Sequence, residues 1–129
     1  MRFKSERLLA KQLQPVGSYS ILELLIYQLK KSHLIHEIVF AISKNLGADL
    51  YINLAKKMKV KYILGDEEDV LGRLIKSAKK VNADVVLRVS AENPFIYWEG
   101  IDSLVQKHLE GDYDFSYHKD LPLGTGMEI

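Results

Sequence analysis

Four cations and one serine stand within the first eleven residues: Arg2, Lys4, Ser5, Arg7 and Lys11, opposed only by Glu6. Guanidinium forks, ammonium point charges and a hydroxyl donor are the groups that hold a compact polyanion, such as the phosphates of a nucleotide. The chain as a whole carries a formal charge of only +1. A local basic cluster on a nearly neutral protein is not a general nucleic-acid surface; it suits a small anion. Taken alone, these residues also read as a solvated N-terminal segment.

Other reactive residue types form weaker patterns. Asp66, Glu67, Glu68 and Asp69 make an acidic run without calcium-loop spacing, so a solvated loop is the simpler reading. His33, His36, His108 and His118 show no metal-ligand spacing. No serine sits in a nucleophile-elbow context. The aromatic residues are scattered, without an RNA-binding signature. The absence of cysteine excludes disulfides and cysteine-based zinc sites.

These groups need a scaffold. The chain has 129 residues, 47% of them hydrophobic and 27% charged, which suits a single domain over 1–129 with its own core. Apolar runs are short and interrupted, so no membrane span is expected, and no apolar leader follows the N-terminal cations. Cytoplasmic location is the default. Residues 1–19, with Pro15 and Gly17, read as a loop. Ser20 reads as an N-cap, and Ile21, Leu24, Leu25 and Leu29 give helical spacing to about Lys31. Glu37–Ile42 has strand length. A helix is predicted over 47–58, with Leu50, Leu54 and Met58 on one face, and a strand over 60–64. The acidic loop then leads into a helix over about 69–81, whose apolar set is Val70, Leu71, Leu74, Ile75 and Ala78. Asp84–Val89 reads as a third strand, Ser90–Ile96 as a turn, Trp98–Leu109 as a helix and Tyr113–Tyr117 as a last strand.

Strands alternating with helices predict an α/β fold with a mainly parallel sheet and helices on both faces. Ligands of such sheets bind beyond the carboxyl ends of the strands. Those ends are residues 43–45, 65–69 and 90–93. A phosphate loop normally follows a strand, and here none precedes Arg2, so the first strand is missing from the pattern.

Three blocks in order then carry a resemblance. Arg2, Ser5, Arg7, Leu8 and Lys11, followed by Leu13 and Pro15, match the pattern Ala-Arg-x-x-Ser-x-Arg-Leu-Pro-x-Lys with Leu-x-Pro after it. Gly65 to Arg73 matches an acidic loop ending in Asp-Val-Leu-x-Arg. Arg88 to Ile96 matches Arg-[Ile/Val]-[Thr/Ser]-Gly-Asp-x-Pro-[Leu/Phe]-Ile. The chain resembles the cytidylyltransferases of acidic sugars, most closely the spore-coat-polysaccharide branch. Leu9 stands where that pattern has proline, and Ala91-Glu92 where it has Gly-Asp. The match reads as the central part of such an enzyme, short at both ends.

The resemblance implies a Rossmann-like nucleotidyltransferase sheet and transfer of CMP from CTP to a sugar or sugar acid for surface-polysaccharide synthesis. Pyrophosphate is released and Mg²⁺ is the cofactor. It places Lys11 and Arg7 in catalysis. It places Arg2, Ser5, Ser43, Arg73 and Arg88 around the nucleotide, where Lys4, standing in place of the family's usual glycine, adds charge of the right sign. It places Glu92 at the metal position, with Glu128 a remote second oxygen. Read without it, Arg73 is the partner of Asp69 one turn back, Glu92 an exposed turn residue and Ser43 an ordinary strand-end serine. Arg88, at the end of an apolar run, should be paired or point into a site. The rivals are a non-catalytic homologue serving as a binding or assembly module, and an unrelated small α/β domain that binds a phosphorylated metabolite. No nucleic acid or membrane partner is implied. A sheet lacking a strand exposes an edge, which predicts a homo-oligomer.

Overall fold

The computed structural model describes residues 10–129. The expected phosphate-loop residues Arg2, Lys4, Ser5 and Arg7, and any question of a strand before them, lie outside the described residues. The described chain falls into two compact units. One holds residues 10 and 11 with Glu37–Asp84; the other holds Gln12–His36 and Val85–Ile129.

The first unit is built on a parallel strand pair. β3 (Val39–Ser43) lies beside β4 (Lys61–Gly65), in a register that sets Val39 against Lys61 and Ser43 against Gly65. Adjacent parallel strands require a crossover, supplied here by α2 (Ala48–Met58). Gly47, at φ 96°, precedes α2, and Lys59, at φ 54°, ends it. After β4 comes α3 (Val70–Val81), closed by Asn82 in the left-handed region, where asparagine is among the better-tolerated residues. α2 and α3 both pack on β3 and β4. Phe40, Ile42, Tyr51, Ala55 and Met58 are buried, and burial pushes the Tyr51 phenol up to about 12.

The second unit opens with a 3-10 turn at Gln12–Leu13, continuous with Lys11, and a hairpin of β1 (Pro15–Val16) and β2 (Tyr19–Ser20). Gly17 takes φ 62° in the two-residue turn, a conformation that costs glycine little. α1 (Ile21–Leu29) starts at a capping box. The Ser20 hydroxyl accepts from the Glu23 amide at 3.2 Å, and the Glu23 carboxylate accepts from the Ser20 amide at 2.8 Å. Such a cap is worth about 1 kcal/mol. A 3-10 turn (Trp98–Gly100) runs into α4 (Ile101–Glu110). The Asp102 carboxylate accepts from the Ser32 hydroxyl and from the amides of His33, at 3.0 Å, and Leu34, at 3.3 Å. Lys31 lies 4.2 Å from the Trp98 ring centroid, a cation–π pair. Leu22, Leu25, Ile26, Leu29, Ile96, Ile101, Leu104, Val105 and Met127 are buried in this unit.

Several expectations need correction. Asp84–Val89 and Tyr113–Tyr117 do not form strands; each makes an isolated bridge, Arg88 and Tyr117 both pairing antiparallel with Glu128. Residues 127–129 therefore link two segments that each lack a longer ladder. Among the described residues the parallel sheet is the β3–β4 pair, and the other pair is the separate β1–β2 hairpin. Part of the expected initial loop is thus ordered as the 3-10 turn and hairpin. On α2 the inward face is Tyr51, Ala55 and Met58, while Leu50 is exposed. On α3 the buried residues are Arg73 and Ser77, and Val70, Leu71 and Ile75 are exposed. An apolar-periodicity argument assigns an arginine to solvent, so it rotates α3 away from the face the molecule uses.

Candidate functional site

The carboxyl ends of β3 and β4 carry a connected set of polar groups. Ser43, fully buried, is the last residue of β3 and stands opposite Gly65, the last of β4. The chain leaves β3 with the Lys44 amide donating to the Gly65 carbonyl at 2.8 Å. The Asn45 side-chain nitrogen donates to the Ser43 hydroxyl and to the Glu67 carboxylate, each at 3.0 Å. A carboxylate accepts only, so this pairing fixes which end of the Asn45 amide faces Glu67. The Asn45 side-chain oxygen, Oδ1, is left buried without a hydrogen-bond partner.

The acidic loop is held from beneath. Arg73 is 5% exposed, and its Nη1 donates to the backbone carbonyls of Asp66 and of Glu67, the latter at 2.8 Å. A Cβ on Gly65 would stand 2.6 Å from Arg73 Cγ, so glycine at the end of β4 makes room for the arginine shaft. The Asp66 carboxylate accepts from the amides of Glu68, at 2.9 Å, and Asp69, at 3.1 Å. The Asp69 and Glu68 amides, with help from the Arg73 and Lys76 charges, hold the Asp66 carboxyl below its ordinary range. Asp69 caps α3 through the Gly72 amide at 2.7 Å. Arg73 thus engages loop carbonyls through its Nη1, whereas the sequence alone pairs it with Asp69. Lys11, half-buried, begins the 3-10 turn of Lys11–Leu13.

In the second unit, Arg88 is exposed and forms an ion pair with Glu128, while its amide donates to the Glu128 carbonyl at 2.8 Å. The expectation of a strand-buried charge is replaced by a paired surface charge. Glu128, the remote metal candidate, is engaged by that pair. Glu92 is exposed in a turn closed by the Asn93 amide on the Ser90 carbonyl at 3.2 Å. Gly124, at φ 85°, lies against Asn93: its Cβ would stand 3.3 Å from the Asn93 side-chain oxygen. Among the described residues no group of three His, Asp or Glu side chains could enclose a metal.

The structure thus brings Ser43 and the loop held by Arg73 into one polar set, and pairs Arg88 with Glu128. Asn45 and Glu67 join that set unannounced by the sequence. The strand-end rule points to their segments, but no spacing signals a hydrogen bond between residues 22 positions apart.

A family model described as cytidylyltransferase matches residues 1–129. The chain belongs to the cytidylyltransferase family. It is similar to the spore coat polysaccharide biosynthesis protein SpsF of Bacillus subtilis, at 30% identity over 99% of this chain and 55% of SpsF. It is also similar to an uncharacterized protein, MJ1063, of Methanocaldococcus jannaschii, at 32% identity over 99% of this chain and 53% of that protein. A solved cytidylyltransferase from Leptospira borgpetersenii superposes with a TM-score of 0.88 at 25% identity, covering 98% of this chain and 56% of that one. The fold is therefore the α/β nucleotidyltransferase type, and the reading as an unrelated small α/β domain is set aside. The chain spans about half the length of the curated relatives it matches.

Proposed function

We propose that this chain supplies the nucleotide-handling part of a cytidylyltransferase that transfers CMP from CTP to a sugar or sugar acid destined for surface polysaccharide. The family match across the whole chain carries this reading. Nothing observed favours the non-catalytic module.

In the reaction, an acceptor hydroxyl oxygen bonds to the α-phosphorus. The bond from that phosphorus to the oxygen bridging to the β-phosphate breaks, pyrophosphate leaves, and the hydroxyl proton is released. Such transfer depends on positioning and charge neutralisation more than on covalent help. Arg7 and Lys11 act in catalysis by offsetting charge that develops on the phosphates. Arg2, Lys4 and Ser5 bind the triphosphate. Ser43 and the 65–69 loop lie at strand carboxyl ends, where ligands of α/β sheets bind. Arg88 is assigned to nucleotide binding by the family pattern that it matches.

Mg²⁺ commonly takes one or two protein carboxylates and completes its shell with phosphate oxygens and water. Glu92 is exposed and fits as a single such ligand. When bound, the ion would neutralise phosphate charge. The reading also carries a cytoplasmic location and self-association. No helix of the described residues is long and apolar enough to cross a membrane. Leu71, a large apolar side chain exposed on α3, is the contact that self-association would use.

Thermal unfolding with CTP, ATP or GTP, each with and without Mg²⁺, tests the reading. A ligand at a hundred times its Kd stabilises the folded state by about 2.7 kcal/mol. The expected result is a CTP-selective, Mg²⁺-enhanced rise in Tm that Arg7→Ala abolishes. No shift with any nucleotide would overturn it.

A further inference from the structure

We infer that Arg73 is a positioning residue of the nucleotide end rather than a ligand of the nucleotide: it sets the shape of the 65–69 loop and, through Glu67 and Asn45, the orientation of the Ser43 hydroxyl. This rests on the nucleotide reading above. Four observations carry it. The guanidinium is buried and engaged on two loop carbonyls, those of Asp66 and Glu67. Its Nε is buried without a hydrogen-bond partner, so the planar fork is oriented by those carbonyls and not by a carboxylate. Gly65 leaves the space that the arginine shaft fills. The residue whose carbonyl Arg73 holds, Glu67, extends its own carboxylate to Asn45, which binds Ser43. A path of hydrogen bonds therefore runs from α3 to the end of β3, and each step fixes the next. Arg73 also returns its own carbonyl to the Ser77 hydroxyl at 2.9 Å, the one-turn neighbour on the same buried face.

A residue acting through this path affects every ligand that uses Ser43 and the loop, whatever its number of phosphates. A residue touching phosphate affects CTP far more than cytidine. Calorimetric affinities for CTP, CMP and cytidine separate these. Arg73→Ala is expected to weaken all three by a similar factor, about tenfold, equivalent to roughly 1.4 kcal/mol. Arg73→Lys, which keeps a cationic donor on a shorter side chain, should recover part of the loss. Gly65→Ala, which displaces the shaft but keeps the charge, should imitate Arg73→Ala. Glu67→Gln should weaken binding less, and should add nothing on the Arg73→Ala background, because the two act along one path. A loss that grows with phosphate number, or additivity of the Arg73 and Glu67 changes, would overturn the inference.

Amide exchange without nucleotide keeps the two readings apart, and Gly65→Ala and Arg73→Lys serve there if Arg73→Ala does not fold. Deprotection of the Glu68, Asp69 and Gly72 amides in Gly65→Ala, partly recovered in Arg73→Lys, is expected. Unchanged protection would overturn the clamp. Deprotection in a protein whose wild type binds no cytidine nucleotide would leave the clamp standing and remove the proposed function.

Discussion

Asp69→Ala should unmask a stabilising effect of Gly72→Ala that is cancelled in the wild type. Asp69 accepts from the Gly72 amide at 2.7 Å, the side-chain bond that caps α3. Removing an Asp cap costs about 1 kcal/mol. Gly72 sits inside the first turn, where alanine gains up to about 1 kcal/mol over glycine by propensity. Yet an alanine Cβ at 72 would stand 2.0 Å from Asp69 Oδ2, too close for the carboxylate to stay. Gly72→Ala alone must therefore lose the cap while gaining propensity, and the two nearly cancel. With Asp69→Ala already present, no cap remains to lose, and Gly72→Ala should stabilise by the full ~1 kcal/mol. The coupling between the two sites is thus about 1 kcal/mol, well beyond the few tenths expected of independent positions. Urea unfolding of the four proteins at neutral pH measures it. In a chain of this size about 1 kcal/mol corresponds to roughly 3–6 °C in Tm, so thermal scans resolve it too. If Gly72→Ala stabilises both backgrounds equally, the carboxylate is not seated on that amide and the account of how α3 begins is wrong.

The Ser32 hydroxyl, then the His33 and Leu34 amides, hold the Asp102 carboxyl below its ordinary range. Its folded pKa is depressed, so its stabilising contribution is complete above the ordinary carboxylate value and is lost as pH falls through the lower folded one. The wild type's advantage over Asp102→Asn in urea midpoint should therefore shrink on going from pH 7 to pH 3; a pH-independent gap would contradict the pairing. Arg88→Ala removes an exposed ion pair and should change unfolding free energy by less than about 1 kcal/mol. The CTP-induced rise in Tm should nonetheless shrink, and an undiminished rise would remove Arg88 from the nucleotide site. Sedimentation equilibrium should show concentration-dependent association that weakens in Leu71→Glu; a monomer at all concentrations would refute self-association.

The helices were legible in the sequence because their ends are written locally. Ser20 with Glu23 three residues on, and Asp69 before an apolar run, both cap helices in the structure. β3 and β4 were legible because each is a short apolar run flanked by helical segments. The third and fourth expected strands were not, for a reason outside their own residues. Asp84–Val89 is an apolar run like β3, but a strand exists only with a partner, and its bridge is the single one from Arg88 to Glu128. Composition measures the wish to be buried, not the presence of a neighbour.

The candidate site divides along the same line. Position relative to strand ends could be read from the sequence, and it drew attention to residues 43–45 and 65–69. The inward turn of Arg73 could not, because its reason lies in three other places at once. Gly65 lacks a Cβ where the arginine shaft passes, the loop offers two carbonyls to Nη1, and Ser77 completes the polar face one turn later. A buried arginine needs acceptors for its charge, and here two carbonyls meet Nη1. An arginine followed at i+4 by a serine, with glycine at the end of the preceding strand, is therefore a pattern that predicts an inward polar helix face where apolar periodicity predicts the opposite. Gly65→Ala tests that pattern directly, since it leaves every polar group in place and removes only the space.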